Sequence, residues 1–506
     1  MVSADERNKV LPHEGNPVLR AAVLVYIGEK IEVSPMNFKM LYIDGAWTPS
    51  ASGAYIDVEN PANKERFACV PEGNDADVDK AAKAAAAALP AWAATPLSER
   101  MEYMKKMLTY FKEMEPQLTD CIVKELGAPV SFAAASHVRY QYVRTQSYID
   151  LAAGLPLVET LPQSTVYREP VGVVGCITPW NYPLGQIIQK VVPAILVSNT
   201  VVLKPSQHTP LAAYYLTEAF HKAGFPQGVF NLVTGRGSQI GNAMCDHPLI
   251  NMISFTGSTE AGVGVARRAL ATMKRISMEL GGKSPCVILK GADYEGAARM
   301  CLDSIFLNSG QTCTALSRLV VPKDDKETVE RLLLQLLPEY VVGDPTDPAV
   351  KVGPVASEHQ FQTVCSYIQK GIDEGATLLA GGLPPAPETG YYVYPTIFTD
   401  VTNDMTIARE EIFGPVLCVL TYDTEEEAAA IANDTPYGLN AAVWGPKEQA
   451  VATARRIRSG NVYINDGPRD VTAPFGGFKH SGIGREGGMD GMLEFTEPQA
   501  LFDCGS

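Results

Sequence analysis

The sequence lacks the local patterns that mark most metal-binding and disulfide-rich proteins. None of its ten cysteines belongs to a CxxC pair, and none of its seven histidines stands at the HxH or HxxxH spacing of metal ligands. This disfavours zinc ribbons and dithiol redox motifs, and it predicts neither a structural nor a catalytic metal. Widely spread cysteines suit a reducing compartment, so we expect a cytoplasmic protein.

The sequence also lacks an excess of positive charge and any long apolar run. It has 42 Lys and Arg residues against 57 Asp and Glu residues, a net charge of −15. Nucleic acids and anionic membranes require positive patches, so we expect neither as a partner. No apolar run reaches the ~18 residues of a membrane-spanning helix. With 46% hydrophobic residues over 506 positions, the chain can form two or three globular domains.

From residue 171 onward the sequence alternates between buried-strand and helix patterns. Residues 171–177, 200–204, 229–233 and 252–255 are typical of strands, and a second set of strands and helices begins at residue 285. The first two strands begin about thirty residues apart, the length of a βαβ unit. The alternation predicts an α/β fold with a doubly wound dinucleotide-binding domain.

Upstream of this region, short strands precede a run of helices. Residues 41–45 and 47–73 favour strands and turns. Asp75-Ala76-Asp77 favours a helix start, and the alanine-rich run that follows predicts a helix to Leu89 that is halted by Pro90. Helical periodicity also covers residues 97–114, 117–126 and 132–152.

The GxGxxG pattern that follows the first strand of many dinucleotide-binding domains is absent. Thr178-Pro179-Trp180-Asn181 stands there, and glycines come later, in Gly235-Arg236-Gly237-Ser238-Gln239-Ile240-Gly241 and in Thr256-Gly257-Ser258-Thr259. Each later turn could present helix N-terminal N–H groups to a pyrophosphate. The second strand ends in Lys204-Pro205-Ser206-Gln207, without an acid that would repel a 2′-phosphate. Both NAD and NADP therefore remain open as coenzymes.

One cysteine stands in a polar, glycine-flanked segment, whereas most of the others stand among apolar residues. In Asn308-Ser309-Gly310-Gln311-Thr312-Cys313-Thr314-Ala315, backbone N–H groups could stabilise a thiolate or an oxyanion at Cys313. A second glycine turn, Met278-Glu279-Leu280-Gly281-Gly282-Lys283-Ser284-Pro285, carries a carboxylate at the end of an apolar strand. Taken alone, Cys313 could be a loop thiol without a role. Together the two turns predict covalent catalysis followed by hydrolysis.

Seven segments, taken in order, resemble the motifs of the aldehyde dehydrogenase superfamily, and the resemblance covers residues 40–500. They are Thr178-Pro179-Trp180-Asn181-Tyr182-Pro183, Lys204-Pro205-Ser206, Phe255-Thr256-Gly257-Ser258, Glu279-Leu280-Gly281-Gly282-Lys283, Gly310-Gln311-Thr312-Cys313, Glu411-Ile412-Phe413-Gly414-Pro415 and Pro474-Phe475-Gly476-Gly477. The resemblance implies an NAD(P)-dependent, non-acylating enzyme that oxidises an aldehyde to a carboxylic acid through a cysteine thiohemiacetal and a thioester.

The resemblance also implies an architecture. We expect a Rossmann-type coenzyme domain, an α/β catalytic domain and a β-arm for oligomerisation into a homodimer or homotetramer. The expected boundaries are an N-terminal extension at 1–35, the coenzyme-binding domain at 36–146 and 171–279, the catalytic domain at 280–477, and the oligomerisation arm at 147–170 and 478–506.

The site residues follow from the same resemblance. Cys313 is similar to the family's nucleophile and Glu279 to its general base, and the Asn181 amide is expected to hold the oxyanion beside the Cys313 backbone N–H. The implied coenzyme-binding positions, with Glu411 on the nicotinamide ribose, are Ile177, Pro179, Trp180, Lys204, Ser206, Gln207, Gly237, Gly241, Phe255, Gly257, Ser258, Leu280, Glu411 and Phe413. Lys190 and Glu486 match positions that some accounts place in a proton relay. Many family members carry a glutamate at the position of Gln207, so strict preference for NAD is not expected.

The resemblance favours a medium-chain, aromatic or keto-bearing aldehyde as substrate. The expected tunnel is lined by Tyr182, Gln186, Leu307, Thr312 and Thr314. Arg469 falls at the tunnel mouth, where it could pair with the carboxylate of a semialdehyde unless Asp466 or Asp470 neutralises it. Four alternatives remain: a semialdehyde dehydrogenase, an acylating dehydrogenase, a hydrolase that needs no coenzyme, and a non-catalytic binding protein.

Overall fold

The computed structural model of the chain describes residues 36–385 and 389–502. The expected N-terminal extension, residues 1–35, lies outside the described residues, as does the end of the predicted arm, residues 503–506. Within the described ranges, no helix is both long and apolar enough to cross a membrane.

The strands of the described chain form four sheets. In chain order the strands are β1 (Leu41–Ile43), β2 (Ala46–Thr48), β3 (Tyr55–Asn60), β4 (Glu65–Pro71), β5 (Val158–Leu161), β6 (Ser164–Pro170), β7 (Val173–Ile177), β8 (Thr200–Lys204), β9 (Phe230–Leu232), β10 (Met252–Thr256), β11 (Arg275–Glu279), β12 (Pro285–Ile288), β13 (Arg318–Pro322), β14 (Thr377–Ala380), β15 (Thr396–Thr399), β16 (Val416–Tyr422), β17 (Asn440–Trp444), β18 (Asn461–Ile464), β19 (Gly482–Ile483) and β20 (Thr496–Phe502).

Helices cover the faces of the two larger sheets. They are α1 (Asp75–Ala94), α2 (Leu97–Glu113), α3 (Glu115–Leu126), α4 (Val130–Phe132), α5 (Tyr140–Ala152), α6 (Pro183–Leu196), α7 (Leu211–Lys222), α8 (Asn242–Asp246), α9 (Thr259–Leu270), α10 (Tyr294–Phe306), α11 (Lys326–Leu336), α12 (Glu358–Asp373), α13 (Thr406–Arg409), α14 (Glu425–Asn433), α15 (Lys447–Ala454) and α16 (Gly488–Leu493). Single π-helical turns precede α5 and α8, at Ala133–Arg139 and Gly237–Gly241.

The first large sheet has the order β19-β11-β10-β7-β8-β9-β1-β2. Strands β7 to β11 run parallel, and the short strands at both edges are antiparallel. Every residue of β7, β8 and β10 is buried, as expected for parallel strands with helices on both faces. The strand predictions at 171–177, 200–204, 229–233 and 252–255 are confirmed, and the observed β8 has the predicted bounds.

The second large sheet has the order β14-β15-β16-β13-β12-β17-β18. All its neighbouring strands are parallel except β14 and β15, which are antiparallel. The two parallel sheets confirm the predicted α/β fold class. Helix α6 is buried along its whole length and bears an apolar face to α5 and β8, so it is a central packing element of the first half.

The two parts of the predicted oligomerisation arm meet in a small sheet of order β20-β6-β5. All seven residues of β20 pair with β6 in antiparallel register. Residues Gly482–Ile483, which the prediction also assigned to the arm, instead extend the first large sheet as β19, beside β11. The domain boundaries and the role of the arm in assembly stay predictions.

The predicted end of the first helix at Pro90 is wrong, because α1 continues through Pro90 to Ala94. Asn74 caps the helix, and Asp77 completes a capping box by accepting from the Asn74 N–H. Pro90 is exposed, so the carbonyl that it leaves unbonded can be solvated. Beyond it, buried Trp92 donates Nε1–H to the Ile195 carbonyl at 3.2 Å and thereby anchors the last turn to α6.

Candidate active site

The order in which strands are added to the first sheet reverses between β7 and β10, although the two strands are parallel. From β7 the order proceeds to β8 and β9 on one side, and it resumes with β10 and β11 on the other. The strand ends lie side by side, since Ile177 pairs with Lys204 and with Phe255, and Thr256 pairs with Glu279. A crevice outside the carboxyl ends of parallel strands at such a switch point is the usual ligand site of this architecture.

The Gly-rich turn at Gly237–Gly241 lies against this crevice. A Cβ on Gly241 would come within 3.9 Å of Lys204 Cδ and 4.0 Å of Ile177 Cδ1, whereas one on Gly237 would meet nothing within 4 Å. Buried Lys204 donates Nζ–H to the Pro205 carbonyl at 2.9 Å, and burial lowers its pKa to about 8. Three predicted coenzyme positions, Ile177, Lys204 and Gly241, therefore lie together beside open space at Gly237.

The strand ends at this crevice carry buried hydroxyl groups that can form hydrogen bonds with a polar ligand. Thr178 Oγ1 and Thr256 Oγ1 have no hydrogen-bond partner within the described chain. The next helix, α9, starts at Ser258, whose Oγ accepts from the Ala261 N–H at 3.2 Å. Unpaired hydroxyls, a buried ammonium and a capped helix start fit the ribose and phosphate groups of a dinucleotide.

The other predicted coenzyme positions divide between this groove and the core. Glu411 is fixed, since its Oε1 accepts from the Gly282 N–H at 2.9 Å, and burial raises its pKa to about 7. The Phe413 ring packs edge-on against Trp180, with centroids 5.4 Å apart. Ser206 is buried, and Pro179 and Gln207 are half-buried in loops after β7 and β8.

Phe255 and Leu280 do not present their side chains to the groove. A Cβ on Gly257 would lie 2.5 Å from the Phe255 ring, and one on Gly262 would lie 2.4 Å from a Leu280 methyl group. Both side chains belong to a buried apolar cluster. At these positions, and at Gly257, only the backbone remains for a coenzyme.

A left-handed turn presents the candidate nucleophile. Asn308, Ser309 and Gly310 all have positive φ, at 52°, 56° and 77°. A Cβ on Gly310 would lie 2.0 Å from the Gly414 carbonyl carbon, so this close approach requires glycine. Cys313 follows the turn and is half-buried, whereas six of the nine described cysteines are fully buried.

Side chains from several elements hold the Cys313 segment in place. Asn181 Nδ2–H donates to the Gln311 carbonyl at 3.0 Å, and Asn308 Nδ2–H donates to the Asn181 carbonyl at 2.8 Å. The Tyr182 hydroxyl lies 2.9 Å from Thr312 Oγ1. The predicted oxyanion donor Asn181 is thus beside the nucleophile, with one of its two amide hydrogens used by the protein.

Glu279 ends β11 in a buried position without a protein partner. Neither carboxylate oxygen has a hydrogen bond within the described chain. A Cβ on Gly476 would lie 2.6 Å from Glu279 Oε1, so the carboxylate contacts the loop that follows Phe475. Burial, reinforced by the charge of Glu486, raises the Glu279 pKa well above its ordinary value. A buried carboxylate of this kind holds its proton more tightly and is a stronger base when ionised.

The turns that carry Glu279 and Cys313 touch each other. A Cβ on Gly282 would lie 2.3 Å from the Cys313 carbonyl oxygen. Burial raises the pKa of the Cys313 thiol to about 12, and the charges of Glu411 and Glu279 add to this effect. A backbone hydrogen bond at Cys313 and the charge of Arg469 oppose the rise, and the stabilisation of a thiolate or an oxyanion by backbone N–H groups stays a prediction.

A buried ion pair lies behind Glu279. Lys190 Nζ is bonded to Glu486 Oε1, and Gln189 Nε2–H donates to Glu486 Oε2 at 2.6 Å. Lys190 is 0% exposed and Glu486 1% exposed, so the ion pair is fully buried. The charges of both residues act on Glu279. The relay role itself stays a prediction.

The structure adds three residues that the sequence did not single out. His137 is buried in the π-helical turn and stacks on Tyr182, with centroids 4.8 Å apart, and burial lowers its pKa to about 3. Arg485 bonds to the Gly477 and Gly484 carbonyls, and its charge acts on Glu279. Arg144 lies on α5 near Tyr182. All three stand outside recognisable motifs, so only their packing identifies them.

The described part of the chain contains no cluster of three or more His, Cys, Asp or Glu side chains arranged to hold a metal ion. The candidate site combines a thiol, a carboxylate and an amide beside the crevice. A cysteine thiol can act as a nucleophile that bonds covalently to its substrate.

Comparisons with known proteins agree with this site. The model of the aldehyde dehydrogenase family matches residues 47–501. A 3-succinoylsemialdehyde-pyridine dehydrogenase from a Pseudomonas species is 41% identical over 469 residues, which are 92% of this chain and 98% of the relative.

Solved structures give the same result. A cysteine-to-alanine variant of aldehyde dehydrogenase C from Pseudomonas syringae, in complex with NAD⁺ and octanal, matches with a TM-score of 0.91 and 44% identity over 92% of this chain and 98% of that chain. A Mycobacterium tuberculosis aldehyde dehydrogenase complexed with NAD⁺ matches with a TM-score of 0.90 and 39% identity over 93% and 99%. These findings confirm the family resemblance and the predicted fold. The chain belongs to the aldehyde dehydrogenase family, a family of oxidoreductases.

Proposed function

We propose that the protein oxidises an aldehyde to the carboxylic acid, with reduction of NAD or NADP, through a thiohemiacetal and a thioester on Cys313. The observation that carries the proposal is the contact between two turns. The Gly282 backbone lies against the Cys313 carbonyl, so the turn that follows Glu279 touches the turn that bears the thiol. A thiol and a buried carboxylate at one place are what thioester formation and hydrolysis require.

In the first step Cys313 Sγ bonds to the aldehyde carbon while the thiol proton leaves for a base. The carbonyl oxygen becomes an oxyanion, and the Asn181 amide and the Cys313 backbone N–H hold it. A nicotinamide coenzyme, when bound, would supply the hydride acceptor that oxidation of this adduct to a thioester requires. The protein's part is to hold the carbon between Sγ and the crevice at the ends of β7 and β10.

In the second step Glu279 takes a proton from water, whose oxygen attacks the thioester carbon. The C–S bond breaks, the carboxylic acid leaves, and Cys313 regains its proton. The raised pKa of Glu279 supports this role, because a carboxylate with a raised pKa is a stronger base and accepts a proton more readily from water.

The residues that would hold the coenzyme line the crevice. Lys204, Gly241 and Glu411 are the best supported, because each lies in or beside the crevice. NAD⁺ in the two related structures supports NAD as one coenzyme. Gln207, uncharged where many family members carry an acid, supports tolerance of the NADP phosphate.

A medium-chain, aromatic or keto-bearing aldehyde is the proposed substrate. Octanal in the related structure supports a medium chain, and the name of the Pseudomonas relative supports a keto-bearing aldehyde. Arg469 favours the alternative of a semialdehyde with a carboxylate. An acylating enzyme is disfavoured, because it has no need of a buried base such as Glu279. We further propose a cytoplasmic homodimer or homotetramer.

The deciding experiment replaces the nucleophile. We expect Cys313→Ala to lower coenzyme reduction with octanal by on the order of 10⁴-fold or more, because the variant cannot form the thioester. Cys69→Ala, which removes another half-buried thiol, is the matched control and should keep wild-type turnover. Persistent coenzyme reduction by Cys313→Ala would refute the proposed mechanism. Ester cleavage without aldehyde oxidation by the wild type would favour the hydrolase instead.

A further inference from the structure

A buried lysine without a hydrogen-bond partner lies between β11 and β12. The Lys283 side chain is 1% exposed, and its Nζ has no acceptor within the described chain. Burial lowers its pKa only to about 8, so the side chain is an ammonium ion at neutral pH. Buried charges are normally paired, because leaving one unpaired costs free energy. Lys283 therefore has an unmet requirement for a partner.

A second buried cation lies next to Lys283. The Arg318 side chain is fully buried, and its Nε–H donates to the Lys283 carbonyl at 3.0 Å. Its other N–H groups donate to Asn403 Oδ1 at 3.1 Å and to the carbonyls of Ile431 and Ala432 at 2.9 Å, which are all neutral acceptors. Two neighbouring buried cations repel each other and favour a nearby negative charge.

The nearby acids do not neutralise these two cations by direct contact. The charges of Glu411 and Glu410 act on Lys283, and the charge of Asp434 acts on Arg318. Within the described residues, none of the three acids forms an ion pair with either cation. Each acid already has another hydrogen-bond or ion-pair partner. The positive charge at Lys283 is thus left without a contacting anion.

Lys283 lines a small cavity in which other polar groups are also unpaired. Ser284 Oγ, Asn440 Oδ1 and Ser459 Oγ are buried and have no hydrogen-bond partner in the part of the chain that the structure describes. The cavity leaves about 10 Å³ for the centre of a water-sized molecule, which is room for one small ligand. None of the lining residues is Asp or Glu, whereas Arg458 adds a second positive charge to the lining.

The cavity adjoins the two turns of the candidate active site. The backbone of Gly282, which precedes Lys283, lies against the Cys313 carbonyl. Asn440 Nδ2–H donates to the Thr314 carbonyl at 2.9 Å. A ligand that fixes Lys283 beside Asn440 would therefore stabilise the contact between these turns.

We propose that this cavity, the Lys283 site, binds a small monovalent anion such as chloride. The ammonium group of Lys283 faces the anion, and the hydroxyls of Ser284 and Ser459 donate hydrogen bonds to it. Asn440 Oδ1 can accept another N–H of the same ammonium group. Chloride is only slightly larger than water, whereas sulfate and phosphate are too large for the space.

A single water molecule is the alternative occupant of the Lys283 site. Buried water commonly satisfies polar groups of this kind, and it would satisfy the two hydroxyls. It would not neutralise the ammonium charge, which is why we favour an anion. The inference goes beyond the proposed function, because it requires no reaction at Cys313.

The first test measures thermal unfolding of the full-length protein in sodium chloride and in sodium gluconate at equal ionic strength. Gluconate is too large for the site, so only chloride should raise Tm, by about 1–3 °C and in a saturable manner. Lys283→Met should lose this difference because it removes the charge that binds the anion. Lys105→Met, which changes an exposed lysine on α2 paired with Glu102, is the matched control and should keep it.

The second test locates the anion directly. Crystals of the wild type soaked in sodium bromide should give an anomalous peak between Lys283 and the two serines. This measurement needs no variant, so it decides the question even if Lys283→Met does not fold. Ser459→Ala keeps the lysine and should weaken chloride binding by about 3- to 10-fold, because one hydrogen bond is lost.

Three outcomes would overturn the anion site. They are equal Tm values of the wild type in chloride and gluconate, a chloride effect retained by Lys283→Met, and a water-sized density at the site without a bromide peak. The last result would show that the cavity holds only water. None of these measurements involves coenzyme reduction, so failure of the anion site and failure of the proposed function remain distinguishable.

Discussion

At the scale of single residues, Glu279 combines burial with two unpaired carboxylate oxygens. Because burial and Glu486 raise its pKa well above the ordinary value, it is protonated at low pH and becomes a base only as pH rises. We therefore expect wild-type kcat to increase with pH over a range that lies above the ordinary titration range of a carboxyl group. Glu279→Gln cannot take a proton at any pH, so it should lower kcat by about 10²–10⁴-fold and lose this rise.

Rapid-mixing measurements of coenzyme reduction check this prediction. Glu279→Gln should still give one fast turnover per site, because thioester formation precedes hydrolysis, and then a slow steady rate. A Glu279→Gln variant that shows no initial burst would place Glu279 before the thioester. Glu113→Gln, on the exposed face of α2, is the matched control.

Asn181 gives a second prediction at this scale. Its amide donates one hydrogen to the Gln311 carbonyl, so the second hydrogen remains available to an oxyanion. Asn181→Ala should lower kcat by about 10²–10³-fold, the usual effect of losing one oxyanion donor. Coenzyme affinity, measured by fluorescence, should stay unchanged, as it should in the exposed control Asn63→Ala. A change in coenzyme affinity without a change in kcat would contradict this role.

The sequence pointed to those reactive residues whose neighbouring turns require glycine. Cys313 and Glu279 stand in glycine turns, and both turns leave a sequence signal because no other residue fits at Gly310 or Gly282. Arg144 carries no such signal. It stands on an ordinary helical face, and only the packing of α5 beside α6 brings it near Gly185 and Tyr182.

At the scale of elements, Glu125 of α3 joins two helices. Its carboxylate accepts from the Leu211 N–H at 2.7 Å and the Ala212 N–H at 3.2 Å, at the start of α7. Burial raises its pKa to about 8, although both hydrogen bonds oppose the rise. The folded protein therefore binds this proton more tightly than the unfolded chain does.

The raised pKa of Glu125 makes the folded protein less stable as pH rises. The stabilisation is complete below the unfolded pKa, for which the ordinary value is 4.5, and it is lost as pH rises through about 8. Stability of the wild type should fall over this range by on the order of a few kcal/mol relative to Glu125→Gln, which cannot ionise. Urea midpoints at three pH values check this, with Glu113→Gln as control. Parallel pH profiles for wild type and Glu125→Gln would refute it.

The bounds of some helices and strands can be predicted from the local sequence pattern alone. β8 has its predicted bounds because four consecutive apolar or β-branched residues, followed by Lys204 and Pro205, are typical of a short buried strand. α1 extends past Pro90 because Trp92 is anchored to α6, an interaction that propensity cannot anticipate. β19 was not predicted either, since two residues of sequence, Gly482 and Ile483, carry no periodicity.

At the scale of the whole molecule, the small sheet β20-β6-β5 exposes apolar side chains. Phe502 is 83% exposed and Val158 57% exposed, and Leu501 and Leu161 are also exposed. Exposed apolar patches can serve as interaction surfaces. The role of this sheet as an oligomerisation arm stays a prediction.

Charged substitutions on this sheet test that role. We expect Val158→Asp with Phe502→Asp to shift the protein to a smaller species in analytical ultracentrifugation, because a standard interface of about 1,600 Å² tolerates few buried charges. Met273→Asp, which changes an 85% exposed residue after α9, is the control. An unchanged sedimentation coefficient in the double variant would exclude the sheet from the assembly surface.

The alternation of strands and helices predicted the two large sheets of the molecule, because parallel strands need long crossovers that are visible in sequence. It could not predict how the sheets approach each other, which depends on contacts between distant turns. One of these is the close approach of the Gly282 backbone to the carbonyl of Cys313.

That contact limits how the pocket can be redesigned. A library that varies the tunnel can change Leu307, Gln186 or Arg469 freely, since none of them supports the junction. Any side chain introduced at Gly282 would push apart the turn that carries Glu279 and the turn that carries Cys313. Changes of substrate preference should therefore be sought at these predicted tunnel positions, while Gly282 is left unchanged.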